Sequence, residues 1–251
     1  MKNKKKVLKI VIIILIIAVI VLIGYSVLAH GLRQSRCKAQ CGDLGFDKME
    51  NGNVCVCSDG TNFEVDSFVV YKPVLYLYPE NDNTLVKVSF EHPENLIVTY
   101  PKYNNGWIVT ANKNGDLYDD TGKYYYALYW EEDNAKDVDF SEGFYVTKDN
   151  AIKFLEEKLT IIGLNDREAN EFIMYWLPIL EENKQSLVYF ELTDSKEKNN
   201  KLIIEPKPES LLRVAIHVKK VNKKVEIKEQ VLPTFKRIGF VAVEWGGVIH
   251  N

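Results

Sequence analysis

The sequence has few cysteines and confines them. All four lie within the 21 residues from Cys37 to Cys57, and none occurs beyond. A cysteine nucleophile or thiolate metal site is thereby excluded from the rest of the chain. Histidine is equally sparse, with four residues at 30, 92, 217 and 250 and no metal-ligand spacing among them. His217 falls in an apolar strand pattern and reads as a sheet-surface or core side chain. No G-x-S-x-G, H-E-x-x-H or G-x-x-x-x-G-K occurs, which removes the nucleophile elbow, the zincin helix and the P-loop. A triad assembled only in space leaves no such signature, and nothing here recommends one. No cofactor is implied.

Charge is also missing in two places. The first 30 residues contain five lysines and no acid, and Ile10 to Leu28 is a run of 19 residues without any charge. Beyond residue 30 the balance reverses to 27 basic against 35 acidic groups, a net of -8. Such a surface repels phosphate backbones, which argues against nucleic acid as a partner.

The uncharged run would span roughly 28 Å as a helix, close to the hydrocarbon thickness of a bilayer. Lys2, Lys4, Lys5, Lys6 and Lys9 crowd one flank, so the positive-inside rule places the N-terminus in the cytoplasm. The expectation is a single-pass cell-membrane protein with a cytoplasmic basic tail (1–9), an anchor (10–29) and an extracellular remainder. A cleaved signal peptide ending near Val27-Leu28-Ala29 is the alternative, although secretory apolar cores are shorter, about 7–15 residues. Either reading exports the remainder of the chain.

The cysteines are spaced Cys37-x3-Cys41-x13-Cys55-x-Cys57. A short helix would present Cys37 and Cys41 on one face, and an extended strand would do the same for Cys55 and Cys57. The pairing that satisfies both periodicities is Cys37–Cys55 and Cys41–Cys57, stapling a module at 30–60. Each bridge would contribute about 3 kcal/mol on a chain-entropy basis. A zinc site is the alternative, but structural zinc favours C-x2-C knuckles, and an exported even set of cysteines oxidises. This short segment resembles the core of the cysteine-stabilised α/β motif of defensins and scorpion toxins, without the third disulfide of those families. The resemblance implies local architecture only.

From residue 67 onward strand signals dominate. Val69–Tyr78, Val86–Phe90, Leu96–Tyr100 and Trp107–Ala111 are separated by Asn, Pro and Gly clusters. Asn114-Gly115 and Thr121-Gly122 are turns flanking a short strand at Asp116–Asp119. Tyr124–Trp130 is apolar or aromatic on both faces, so it is a central buried strand or lines a pocket. A helix is predicted over Ala151–Ile162, capped by Asp149 and ended by Gly163. A second should start at an Asn165/Glu168 capping box and be kinked or ended by Pro178. Strands resume at Leu187–Leu192, Leu202–Glu205, Leu211–Lys219, Val225–Ile227 and Gly239–Trp245, with a hairpin tip at Val221-Asn222-Lys223. The predicted class is mainly β (α+β), a β-sandwich-like domain at 67–251 with an inserted αα-hairpin.

Four strings in this region occur together: Lys72-Pro-Val-Leu-Tyr-Leu-Tyr-Pro79, Tyr100-Pro-Lys-Tyr-Asn-Asn-Gly-Trp107, Tyr175-Trp-Leu-Pro178 and Val243-Glu-Trp-Gly-Gly247. With them, residues 72–249 resemble a group of uncharacterised bacterial cell-envelope proteins. The resemblance implies domain identity and export, and no activity.

Two patterns hold candidate chemistry. Glu131 follows Trp130, and Glu244 precedes Trp245; on neighbouring strands the two carboxylates would face one cleft, as in glycosidases, about 5–10 Å apart. The bland reading makes the tryptophans core and the acids solvated. The acidic stretch from Glu131 to Glu142 includes Asp137-x-Asp139, a calcium-loop-like start, but Lys148 stands where an EF-hand requires Glu. Three functions are compatible with these features. The first and favoured is a non-enzymatic surface module binding an envelope protein or glycan through Tyr103, Trp107, Trp130, Trp245 and nearby tyrosines, weakened if Trp107 is buried. The second is a hydrolase of cell-wall or surface polymer using Glu131 and Glu244. The third is a structural or sensory subunit, which would carry a large exposed apolar patch.

Overall fold

The computed structural model describes residues 45–50, 54–60, 62–64, 70–133 and 138–250. The apolar run Ile10–Leu28 lies outside them, and among the described residues no helix is long and apolar enough to cross a membrane. The described residues belong to two compact units divided between Ser67 and Phe68.

In the first unit, β1 (Phe46–Glu50), β2 (Val54–Cys57) and β3 (Asn62–Glu64) form an antiparallel sheet in that order. The period of two turns Cys55 and Cys57 to the same buried side, where Phe46 and Met49 pack on Cys55. Neither cysteine is a free thiol. Cys37 and Cys41 lie outside the described residues, and the expected pairing lies there with them.

The second unit is mainly β. Its strands begin with β4 (Tyr71–Tyr78), β5 (Thr84–Phe90), β6 (Leu96–Tyr100) and β7 (Trp107–Ala111). β8 (Leu117–Tyr118), β9 (Tyr124–Tyr125), β10 (Leu128–Glu132) and β11 (Glu142–Thr147) come after them. Helices α1 (Ala151–Ile162) and α2 (Asp166–Asn183) are next, then β12 (Gln185–Leu192) and helix α3 (Thr193–Asn199). β13 (Leu202–Glu205), β14 (Ser210–Lys220), β15 (Lys228–Glu229) and β16 (Val241–His250) complete it. One sheet has eight strands in the order β15-β11-β12-β14-β16-β4-β10-β6, and another has five in the order β13-β5-β7-β8-β9. Pairing in both is antiparallel except β14 with β16 and β11 with β15.

The eight-stranded sheet is covered on both faces, which explains the unbroken apolar runs of β4, β14 and β16. On one face, Val74, Tyr76, Val214, Ile216, Val243 and Trp245 pack against α1 and α2. On the other, Leu75, Leu77, Leu128, Trp130 and Ala242 share a core with Val86, Val88, Trp107 and Val109 of the five-stranded sheet. The helical pair is inserted between β11 and β12, which pair directly with each other. Its caps follow the sequence closely. Gly163 ends α1 at φ 101°, and the Asn165/Glu168 capping box opens α2, with both reciprocal bonds at 2.9–3.0 Å.

The string Val243–Gly247 has a packing explanation. A Cβ on Gly247 would meet the carbonyl of Ile216 and lie 2.5 Å from the Trp176 indole, neither of which is free to move. Gly247→Ala is therefore expected to cost about 1–3 kcal/mol of overpacking, read from urea unfolding followed by tryptophan fluorescence. Gly122→Ala, whose Cβ would meet nothing within 4 Å, controls for crowding, although its φ of 82° adds backbone strain.

Four local expectations are corrected. Asn150, not Asp149, stands at the start of α1; its Oδ1 accepts the Thr147 N–H at 2.8 Å and closes the preceding turn without capping the helix. α2 does not end at Pro178 but runs through it to Asn183; the missing N–H leaves the carbonyl of Met174, an exposed residue, without its helical partner. Val225–Ile227 forms no strand. The chain leaving β14 does not turn back on it but crosses to pair beside β11 at Lys228–Glu229, while β14 takes β12 and β16 as neighbours. α3 and β11 are additions that the sequence patterns did not single out.

Candidate functional site

The aromatic residues expected to contact a ligand are core. Trp107, Trp130 and Trp245 are 3%, 0% and 0% exposed. Trp107 donates its indole N–H to the Pro101 carbonyl at 2.8 Å and packs edge-on against Phe90 and Tyr103. Tyr103 is half-buried, and its hydroxyl accepts the Phe90 N–H at 3.3 Å. The string Tyr100–Trp107 thus closes on itself around the edge of the inter-sheet core.

Glu131 and Glu244 do not meet. Glu131 lies on the face of β10 shared with Tyr129, whose hydroxyl donates to it at 2.9 Å. Glu244 stands between Val243 and Trp245, both packed toward α1 and α2, so its side chain leaves from the opposite face. There it is fully buried beside Arg213, its register partner on β14, and Lys196 of α3 lies 3.1 Å from its other oxygen. Arg213 continues to Glu197 at 2.5 Å and to the Asn200 carbonyl at 2.6 Å. The acid that joins this network is Glu132, not Glu131; Asn200 Nδ2 donates to it at 2.6 Å. A one-residue step along a strand changes the face, which is how the spacing misled. Burial alone would push the Glu244 carboxyl up, but Arg213 and Lys196 outweigh it and hold it low. For Glu132 burial dominates and raises the carboxyl, with Lys196 and Asn200 opposing. The network ties α3 to the sheet, with Glu244, Arg213, Glu132 and Lys196 all buried within it.

A second polar chain runs along the same face. Ser195 donates to Glu191 at 2.6 Å, Glu191 lies 3.3 Å from His217 Nε2, and His217 Nδ1 lies 2.8 Å from His250 Nε2. His217 is therefore a core side chain. Among the described residues no group of three or more His, Cys, Asp or Glu is placed to hold a metal ion. Asp139 accepts the Ser141 N–H in a local turn, and Asp137 lies outside the described residues.

These groups set an acid limb of stability. Burial opposes ionisation of Glu191, but the His217 bond, the Lys196 charge and the Ser195 hydroxyl together hold its carboxyl down to about 2, from 4.5. A depressed carboxyl stabilises the fold above its ordinary value, and that contribution is lost as pH falls from about 4.5 to 2, on the order of 3 kcal/mol for this group. Urea unfolding measured across that window should show the decline, with a shallower slope in Glu191→Gln. Glu132 works in the opposite sense, its contribution fading as pH rises above the ordinary carboxylate value.

The open, aromatic part of the surface lies elsewhere, around Tyr124–Tyr126. The turn at Gly115 folds β8 back on β7 and the turn at Gly122 folds β9 back on β8, and acids in those turns fix the tyrosines. Tyr124 donates to Asp116 and Tyr125 to Asp119, each at 3.0 Å, while Asp119 also accepts the Thr121 and Lys123 N–H groups. These rings, with Tyr100 and Tyr129 and with Val74 and Ala127 at apolar positions, wall a pocket of about 430 Å³ that also takes in Lys72. Tyr100, Tyr124 and Tyr126 are 54%, 49% and 41% exposed. Cations lie on several faces: Lys123 is 5.4 Å from the Tyr100 centroid and 5.1 Å from that of Tyr125, and Arg167 is 5.1 Å from that of Tyr126.

The four strings noted in the sequence converge here. Lys72 opens the first and Tyr100 the second, and both line the pocket. The Lys72 ammonium lies 5.0 Å from the ring of Tyr175, which begins the third, and 5.8 Å from that of Trp245 in the fourth. Of the pocket residues, the sequence pointed to the Tyr124–Trp130 run as either pocket or core. Its exposed tyrosines line the pocket, and Leu128 and Trp130 are core. Lys72 gave no signal, because a lone lysine in a strand pattern reads as solvated.

The second unit is thus a mainly β domain with a tyrosine-walled surface pocket. No family model matches the chain, and no solved structure matches it. Over 64 residues the chain is 45% identical to an uncharacterized protein in the bglA 3′ region of Butyrivibrio fibrisolvens, a stretch that is 25% of this chain and 66% of that protein.

Proposed function

We propose that this chain is a membrane-anchored, extracytoplasmic binding protein of the bacterial cell envelope that takes a saccharide in its tyrosine pocket without chemical turnover. In this reading a β-sandwich-like head with an inserted helical hairpin follows an anchor and a disulfide-stapled segment. The observation that carries it is the pocket itself. A volume of about 430 Å³ suits a small ligand, whereas a protein partner needs a broad face of about 800 Å². Tyrosine supplies large, rigid, amphipathic contact area at low entropic cost. Tyr124, Tyr125 and Tyr129 already donate to acids, so their oxygens remain as acceptors for ligand hydroxyls. The hydrolase reading loses its geometry with Glu131 and Glu244 on opposite faces.

The test is calorimetric titration of the full-length chain, in lipid nanodiscs, with a panel of cell-surface and plant oligosaccharides. Tyr124→Ala and Tyr100→Ala, both on exposed rings, should each weaken binding by about tenfold, equivalent to roughly 1.4 kcal/mol. Unchanged affinity in both variants would remove the pocket as the site.

A further inference from the structure

Resting on the saccharide reading above, we infer that the pocket selects an anionic sugar, of the uronate class, and that Lys72 is its counter-ion. Among the residues lining the pocket Lys72 alone carries a formal charge. Its ammonium is half-buried on the faces of Tyr175 and Trp245, and no ion pair among the described residues includes it. Aromatic faces hold a cation in place but do not neutralise it, so a carboxylate arriving there forms a charge-assisted bond at little cost in ordering.

The backbone is committed to this placement. Lys72 has φ 51°, in the left-handed region, immediately before Pro73, where a preceding residue is normally held extended. Packing maintains it: the Pro73 Cα lies 3.0 Å from where a Cβ on Gly246 would stand, so this strand and β16 are in close contact. A strained charged residue fixed by its surroundings in the wall of a pocket is the arrangement found where ligands are clamped.

The acids nearby are otherwise engaged. Asp116, Asp119 and Glu131 accept from Tyr124, Tyr125 and Tyr129, and Glu171 accepts from Tyr76 and pairs with Arg167. Lys123, on the faces of Tyr100 and Tyr125, is a second cation at the rim, and Arg167 there is paired with Glu171.

The test compares trigalacturonate with neutral galactotriose, titrated into the full-length chain in zwitterionic nanodiscs at low and moderate salt. The expected result is at least tenfold tighter binding of the acidic trimer, weakening with salt. In Lys72→Met that preference should fall to near parity, and in Lys72→Arg it should be retained; tryptophan fluorescence of each variant checks that the core is intact. Equal affinity for the two trimers in the parent chain, or a preference unaffected by Lys72→Met, would overturn the role of Lys72 while leaving the pocket reading standing. Binding of neither trimer, nor of any oligosaccharide in the wider panel, would overturn both.

Discussion

Replacing Arg213 with methionine is expected to lower the unfolding free energy by about 3–5 kcal/mol, the cost of leaving a buried charge without its partner. Glu244 is fully buried and depends on Arg213 and Lys196 to stay ionised. Without the guanidinium, Glu197 and the Asn200 carbonyl also lose a donor, so the loss spreads along α3. Methionine keeps the stem volume, which separates the charge effect from a cavity. The measurement is urea unfolding of the full-length chain by tryptophan fluorescence. All four tryptophans, at 107, 130, 176 and 245, lie in the larger unit, so the signal reports that unit alone. Adding Glu244→Gln to Arg213→Met should recover part of the loss, since the uncompensated carboxylate is then gone. A cost below about 1 kcal/mol for the single variant would mean the network is solvated and only incidental to the fold.

Trp107→Ala should have a comparable effect on stability, about 3–5 kcal/mol, and little on saccharide affinity once the protein is folded. Trp107 fills the inter-sheet core against Phe90, Tyr103 and Trp130 and holds the Pro101 carbonyl. It does not line the tyrosine pocket. The paired measurements are urea unfolding and oligosaccharide titration at a temperature where the variant remains folded. A stable variant with lost binding would return Trp107 to the role of a contact residue, as the sequence first suggested.

The contrast between Trp107 and Tyr124 shows what the sequence could and could not convey. Strand positions were legible because apolar alternation and turn residues are local, and the Asn165/Glu168 capping box was legible because its partners are three residues apart. The direction of an aromatic side chain is a different matter. Trp107 is buried because a second sheet lies over it, and nothing within ten residues encodes that. Glu131 and Glu132 illustrate the same limit at single-residue scale: one step along β10 changes the face, and only Glu132 reaches Asn200. α3 escaped notice because Thr193–Asn199 is polar throughout, and what buries Lys196 is the carboxylate of Glu244 rather than an apolar stripe. Val225–Ile227 alternates like a strand, yet its chain is used to cross between distant strands. The pocket was half legible: aromatic density at Tyr124–Trp130 marked the place, and Lys72 required the fold.

The most direct measurement is an NMR titration of the full-length chain with ring-labelled tyrosine and tryptophan, adding the oligosaccharide that binds best. The expected result is saturable shifts in the ring signals of Tyr100, Tyr124 and Tyr126, with the indole signals of Trp107 and Trp130 unmoved. Binding that leaves those three tyrosines unshifted, or no saturable shift with any sugar, would contradict a saccharide site at this pocket.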